Sequence, residues 1–188
     1  MIQIVQKNEK VLRQKAKEIP VAEINTPKIK SILKDMGQAL ESQDDGVAIA
    51  APQIGVGLRI FVVSGRVFDP EFDEAAKGKK KVDKKALLER KEKFPDVVFI
   101  NPKITKLSKK KKYVPEGCLS VRWLYGEVNR STNATIEAYD ESGIKFTRGA
   151  GGLLAQIFQH ETDHLDGILF IDKADNLQEM PPEKLKNE

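Results

Sequence analysis

Gln159-His160-Glu161-Thr162-Asp163-His164-Leu165-Asp166-Gly167 decides the reading of this chain. It has the form H-E-x-x-H. On an α-helix, residues four apart lie one above the other on one face. The spacing predicts a helix that aims His160 and His164 at one metal ion, with Glu161 beside them as a base. These are the only two histidines in the chain. A lone histidine is ordinarily a core residue; a pair at ligand spacing with a glutamate in the required place argues for a metal. Working outward, Leu153, Ile157, His160 and His164 share a helical face, with Gln156 beside them. Gly151-Gly152 precedes the helix, and Gly167 ends it as a C′ glycine.

Two imidazoles do not close a site. A catalytic divalent ion usually takes three protein ligands and leaves a position for water. The chain has one cysteine, Cys118, in Glu116-Gly117-Cys118-Leu119-Ser120. A lone cysteine is most often a small buried hydrophobe. Here its thiolate is the candidate third ligand, and the neighbouring glycine permits close backbone approach.

Three stretches in this order resemble the peptide deformylases: Gly46-Val47-Ala48-Ile49-Ala50-Ala51-Pro52-Gln53, then Glu116-Gly117-Cys118-Leu119-Ser120, then Gln159-His160-Glu161-Thr162-Asp163-His164. The resemblance runs from about Val5 to Asp172. H-E-x-x-H alone would fit any zincin-type hydrolase; the combination is far more specific.

The length of 188 residues suggests one domain, 1–188, able to bury a core without disulfide or metal staples. One cysteine excludes an internal disulfide framework and fits a reducing, cytoplasmic setting. No apolar run approaches the ~20 residues of a spanning helix, and the N-terminus lacks the build of a signal peptide. Charge is unevenly spread. Residues 77–112 hold 15 of the 32 basic and 4 of the 28 acidic residues, a net of +11, while the remainder is at −7. A basic insertion is expected at about 66–96.

Elsewhere the pattern predicts mixed structure. Residues 8–18 read as a short helical or turn-rich start. Thr26-Pro27 reads as an N-cap followed by proline at the first helical position. Ile29, Ile32, Leu33, Met36 and Leu40 then give one apolar face of a helix over about 27–42. Strands are expected at 59–63, at 97–100 (stopped by Asn101-Pro102), at 123–128 and at 134–139. A turn at 140–143 leads into a hairpin partner at 144–147, and a final strand is expected at 168–171. Helical turns are expected at 86–90 and after Pro181-Pro182. The fold class is α+β, with antiparallel β-sheets packed around the central helix that carries H-E-x-x-H.

The resemblance implies hydrolysis of the N-formyl group from the first methionine of new polypeptides. It implies metal ligation by Cys118, His160 and His164, with Glu161 as the proton-transfer base. It nominates the Gln53 amide and the Leu119 backbone N–H as oxyanion donors. The peptide backbone would add as a strand beside Val47-Ala48 and Gly117. Leu153 and Ile157 would line a methionine slot with Gln156 alongside, although core packing explains either apolar residue equally well. Fe(II) is the expected ion, with Zn, Ni or Co able to substitute. Arg130 and Asp163 are a candidate pair behind the ligands.

Three features depart from the family pattern: Ala48 where glycine is usual, Arg122-Trp123 where proline often follows, and the long lysine-rich segment between Ser64 and Glu116. The lysines of 77–112 suggest ribosomal RNA as a partner, against the plainer reading of a solvated loop. Rival readings are a metallopeptidase cutting internal amides, and an inactive deformylase-like protein that docks on ribosomes.

Overall fold

The apolar stripe from Ile29 to Leu40 forms one face of helix α1 (Pro27–Glu41). Pro27 occupies the first turn as expected, but Thr26 does not cap with its side chain; its hydroxyl donates to the Glu23 carbonyl at 2.8 Å. The computed structural model describes residues 2–70, 89 and 92–181. Its strands are β1 (Ala48–Ala50), β2 (Ile60–Val63), β3 (Val97–Leu107), β4 (Lys111–Gly117), β5 (Leu124–Ser131), β6 (Asn133–Tyr139), β7 (Lys145–Gly151) and β8 (Asp175–Glu179). Helix α2 (Gly152–Leu165) carries H-E-x-x-H. A five-stranded sheet has the order β1-β2-β3-β6-β7, and a three-stranded sheet the order β4-β5-β8. Every strand pairing within them is antiparallel. The fold is α+β, as the sequence predicts.

The two faces of the larger sheet explain its sequence. Successive side chains on a strand point to opposite faces. Ile49, Ile60, Val62 and Ile100 pack with Ile29, Met36 and Leu40 of α1. Ala48, Ala50, Phe61, Val63 and Phe99 pack instead with Ala155, Ile157 and Phe158 of α2. Phe61 stacks on Phe99 at 4.5 Å between ring centroids, and Phe158 meets Phe99 edge-on at 5.2 Å. A strand buried on both faces reads as a continuous apolar run, which is why Ile60-Phe61-Val62-Val63 shows no polar alternation.

Helix α2 is anchored along its length. Gln159 is buried; its Oε1 accepts from Ser131 N at 3.0 Å and its Nε2 donates to Ser131 O at 3.0 Å. At the C-terminus Gly167 N bonds His164 O at 3.1 Å and Ile168 N bonds Asp163 O at 2.9 Å. That pair of bonds is the Schellman arrangement, and Gly167 takes the left-handed φ of +76° it needs.

Two strand expectations are corrected. Residues 168–171 form no strand. The turn at Gly167 and the bond from Leu169 N to Asp172 Oδ2 at 2.8 Å fold the segment into a 3-10 turn at Phe170–Asp172, which buries Leu169 and Phe170 together. The last strand is β8, polar and exposed throughout, built by backbone pairing to β5 rather than by apolar pattern. Likewise Asn101-Pro102 does not stop β3. The register shifts between Ile100 and Lys103, and Asn101 adopts φ +50° at that bulge. Its side chain accepts from Ile19 N at 2.8 Å and donates to Ile19 O at 2.7 Å. Element ends differ slightly elsewhere: Arg59 and Trp123 lie just before β2 and β5, and Ser42 is the C-cap of α1. The expected turns at 86–90 and after Pro182, and most of the 66–96 insertion, lie outside the described residues.

Asn101→Ala removes two hydrogen bonds to Ile19 and, with them, the short polar side chain that lets asparagine tolerate a positive φ better than alanine. Urea unfolding should show a loss of about 2–4 kcal/mol. Asn101→Gly, which tolerates the backbone angle, should lose about 1 kcal/mol less.

Candidate metal centre

The H-E-x-x-H spacing brings the two rings of α2 together with centroids 5.0 Å apart. The loop that follows β4 delivers Cys118 to them: its Sγ lies 3.1 Å from His164 Nε2. One ligand atom from each of Cys118, His160 and His164 falls within 4.8 Å of the others. Two imidazole nitrogens and one sulfur at this separation fit a divalent transition metal. Glu161 is buried beside them, and its Oε2 has no hydrogen-bond partner among the described residues. A buried carboxylate oxygen without a protein donor is costly unless something else meets it. A reacting water is the simplest group that would.

Gln53 comes from the 3-10 turn Ala51–Ile54, just after β1. Its carbonyl end is fixed by Ala50 N at 2.8 Å. That leaves Nε2 pointing to Ser120 Oγ at 3.2 Å and to Cys118 Sγ at 3.5 Å. Leu119 is buried, and its carbonyl accepts from Gln6 Nε2 at 3.2 Å.

Around this cluster runs a groove of about 340 Å³. One wall is Gly46, Val47, Ala48 and Gln53; the other is Pro115 to Leu119 with Leu124 and Tyr125; the floor is Leu153, Gln156, Ile157, His160 and Glu161. Every predicted site residue except His164 lines this groove; His164 is buried behind it, against Cys118. Ile157 is buried while Leu153 is 40% exposed, so only the first doubles as core. Gln156 donates to Pro115 O at 2.9 Å and ties the floor to β4. Gly117 lies under the Tyr125 ring, where a Cβ would meet Cε1 at 2.7 Å. Both β1 and β4 are edge strands of their sheets, so each presents an edge that pairs with no other strand among the described residues.

Behind the ligands lies a buried charge chain. Arg130 donates from Nη1 to Asp163 Oδ2 at 2.6 Å, as expected from the sequence. The same guanidinium grips Glu116, Nε to Oε1 at 2.8 Å and Nη2 to Oε2 at 3.0 Å. Glu116 Oε2 in turn lies 3.0 Å from His160 Nδ1. Lys173 completes the chain on Asp163 at 2.6 Å. Glu116 is the residue that sequence reasoning missed. Its signal was there, a carboxylate two residues before the cysteine, but its partners lie 14 and 44 positions away.

Burial alone would raise the Glu116 carboxyl; hydrogen bonds from His160 and Arg130 outweigh it and hold the group at about 2. An ionised carboxylate only accepts, so His160 donates from Nδ1, and Nε2 is the ring atom left for a metal. Burial opposes charge on His160, while Cys118 and Glu116 favour it and raise the metal-free ring well above the usual imidazole value; a metal at Nε2 would displace that second proton. His164, buried and beside His160, is driven well below it. Burial pushes Glu161 up to about 7. A base with that pKa takes and returns protons near neutrality.

The profile of the polypeptide deformylase family matches residues 1–180. A peptide deformylase of Desulforudis audaxviator (strain MP104C) is 36% identical over 174 residues, 93% of this chain and 94% of that protein. One from Christiangramia forsetii is 35% identical over 180 residues, 95% of this chain and 84% of that protein. Among solved structures, the Met-Ala-Ser-bound peptide deformylase of Acinetobacter baumannii superposes with a TM-score of 0.73 at 26% identity, covering 92% of this chain and 99% of that one.

Glu116→Gln should weaken metal binding about 10- to 100-fold, because the carboxylate orienting His160 is lost. Competition with a chromogenic chelator measures it; unchanged affinity would show that Glu116 serves only Arg130.

Proposed function

This chain belongs to the polypeptide deformylase family, and on that premise we infer a role for each group in its groove. It is a metal-dependent hydrolase that removes the N-formyl group from the N-terminal methionine of newly synthesised polypeptides. One observation carries the residue assignment: a sulfur and two imidazole nitrogens converge beside a buried, unpartnered carboxylate oxygen.

Cys118, His160 and His164 hold the ion. A divalent cation so held supplies Lewis acidity and makes hydroxide available near neutral pH. Glu161 takes the proton of the attacking water. As the formyl carbonyl becomes tetrahedral, its oxygen gains negative charge, which the Gln53 Nε2 and the Leu119 backbone N–H stabilise. Glu161 then hands the proton to the departing amine, leaving formate and a free methionine N-terminus. The Ala50 bond to Gln53 Oε1 supports this role, because it commits the amide to presenting its NH₂.

The peptide lies as an added strand between the edges of β1 and β4, at Val47-Ala48 and Gly117. Leu153 and Ile157 receive the methionine side chain, with Gln156 supporting the wall opposite. The Ala48 methyl narrows the strip along which the peptide backbone passes.

Fe(II) is the working ion, with Zn, Ni or Co as substitutes; the two-imidazole, one-thiolate set suits iron and zinc alike. An Fe(II)–thiolate site loses activity in air. Among the described residues no helix is long and apolar enough to cross a membrane. A cytoplasmic site of action and the single domain 1–188 complete the reading. The ribosome is the further partner, met through the lysines of 77–112; six of these, from Lys103 to Lys112, stand exposed around the β3–β4 connection.

Anaerobic assays with Fe(II) should release formate from a formyl-Met peptide and leave an acetyl-Met and an unblocked peptide intact. Glu161→Ala should abolish the release, and Gln53→Ala should lower kcat about 100- to 1,000-fold. Cleavage of the unblocked peptide would instead identify a peptidase.

A further inference from the structure

The loop before β1 is pinned unusually firmly for an exposed turn. Arg66 donates to the carbonyls of Asp44 at 2.8 Å and Gln43 at 3.1 Å, and also to that of Gly46. Gly46 is buried so closely that a Cβ would lie 3.0 Å from Leu40 Cδ1 and 3.3 Å from Leu119 Cδ1. This loop continues directly into Val47-Ala48, one wall of the groove.

Arg122 reaches the same loop from the opposite wall. Its Nη1 donates to Asp45 Oδ2 at 2.5 Å, and its Nη2 to Asp45 Oδ1 at 3.0 Å and Gln43 Oε1 at 2.9 Å. The guanidinium carbon sits 4.8 Å from the centroid of the Trp123 ring. Asp45, Arg122 and Trp123 all line the groove. The Arg122 bond holds the Asp45 carboxyl below the usual range, so the pair stays charged at neutral pH. A two-point contact with a planar fork fixes distance and angle together, which a lysine could not do.

We propose that Arg122 and Asp45 form a latch across the mouth of the groove, setting the spacing between the β1 wall and the Cys118 wall. Arg122 is thereby a positioning residue for the peptide beyond its methionine. The latch makes no hydrogen bond to a metal ligand or to Glu161, although the Arg122 charge is felt at Cys118. It acts on substrate affinity, because an added strand needs both walls at hydrogen-bonding distance along its length. The proposal rests on the reading of the groove as a formyl-peptide site.

Trp123 is the only tryptophan in the chain, so intrinsic fluorescence reports directly from the latch. The probe is the product peptide Met-Ala-Ser, titrated into metal-loaded protein while Trp123 emission is followed. Arg122→Ala and Asp45→Asn should each weaken Met-Ala-Ser binding about fivefold or more. In turnover of formyl-Met-Ala-Ser, KM should rise by more than kcat falls. The exchanged pair, Arg122→Asp with Asp45→Arg, should recover at least half of the lost affinity. Arg122→Lys, which keeps the charge without the fork, should fall between wild type and Arg122→Ala. Metal content measured on each variant separates misfolding from loss of the latch. Affinity within twofold of wild type in well-folded Arg122→Ala overturns the proposal, as does an exchanged pair no better than the single variants. Absence of formate release by the wild type would defeat the hydrolase reading, while peptide binding would still decide the latch.

Discussion

The carboxylate of Glu116 is the constraint on which the centre depends. It is buried, and it is divided between a guanidinium on β5 and an imidazole on α2. Burying a charge is expensive unless partners surround it, and removing one partner strands the other. Arg130 therefore cannot leave Glu116, nor Glu116 leave His160, without large loss. Because Glu116 lies near the end of β4, two residues before Cys118, the contact that orients one ligand also fixes the position of another. Asp163 and Lys173 extend the chain to the surface, where its last charge is solvated.

The groove follows from how two sheets meet over one helix. The larger sheet ends at β1, a three-residue strand with alanine at both ends, and the smaller one ends at β4. Small residues at Ala48 and Gly117 leave room between these edges. The helix closes the floor with His160 and Glu161 one residue apart, so ligand and base project in different directions from the same turn. A carboxyl near 7 and another near 2 stand within this one site. The difference is one of partners: Glu161 has burial without a donor on Oε2, whereas Glu116 has an arginine and a histidine.

Much of this was legible in the sequence because it rests on local spacing. His160 and His164 are ligands of one ion only if the segment is helical, and Gly167 marks where that helix stops. The stripe of α1 and the turn at 140–143 are similarly local. What stayed hidden was non-local. Glu116 looks like any acidic residue in a strand until Arg130 is placed opposite. Asn101-Pro102 reads as a stop because the sequence does not reveal that Ile19 will occupy the Asn101 side chain. Strand β8 carries no apolar alternation, since backbone pairing with β5 is all that makes it a strand. Conversely, Ile168-Leu169-Phe170-Ile171 has strand composition, but the Schellman turn before it and the Asp172 bond within it bend the chain.

The way the last turn of α2 is tied down has a consequence for what holds the second histidine. The Leu165 carbonyl receives Ala16 N at 2.8 Å and Arg59 Nη1 at 3.2 Å. Gly167 nestles against the backbone of Arg13. Segments from opposite ends of the primary structure thus clasp the turn that bears His164. Closing so long a loop costs chain entropy that contacts within one helix do not. The seat of His164 is therefore shared property: residues near position 15 and at Arg59 hold it as much as its own helix does.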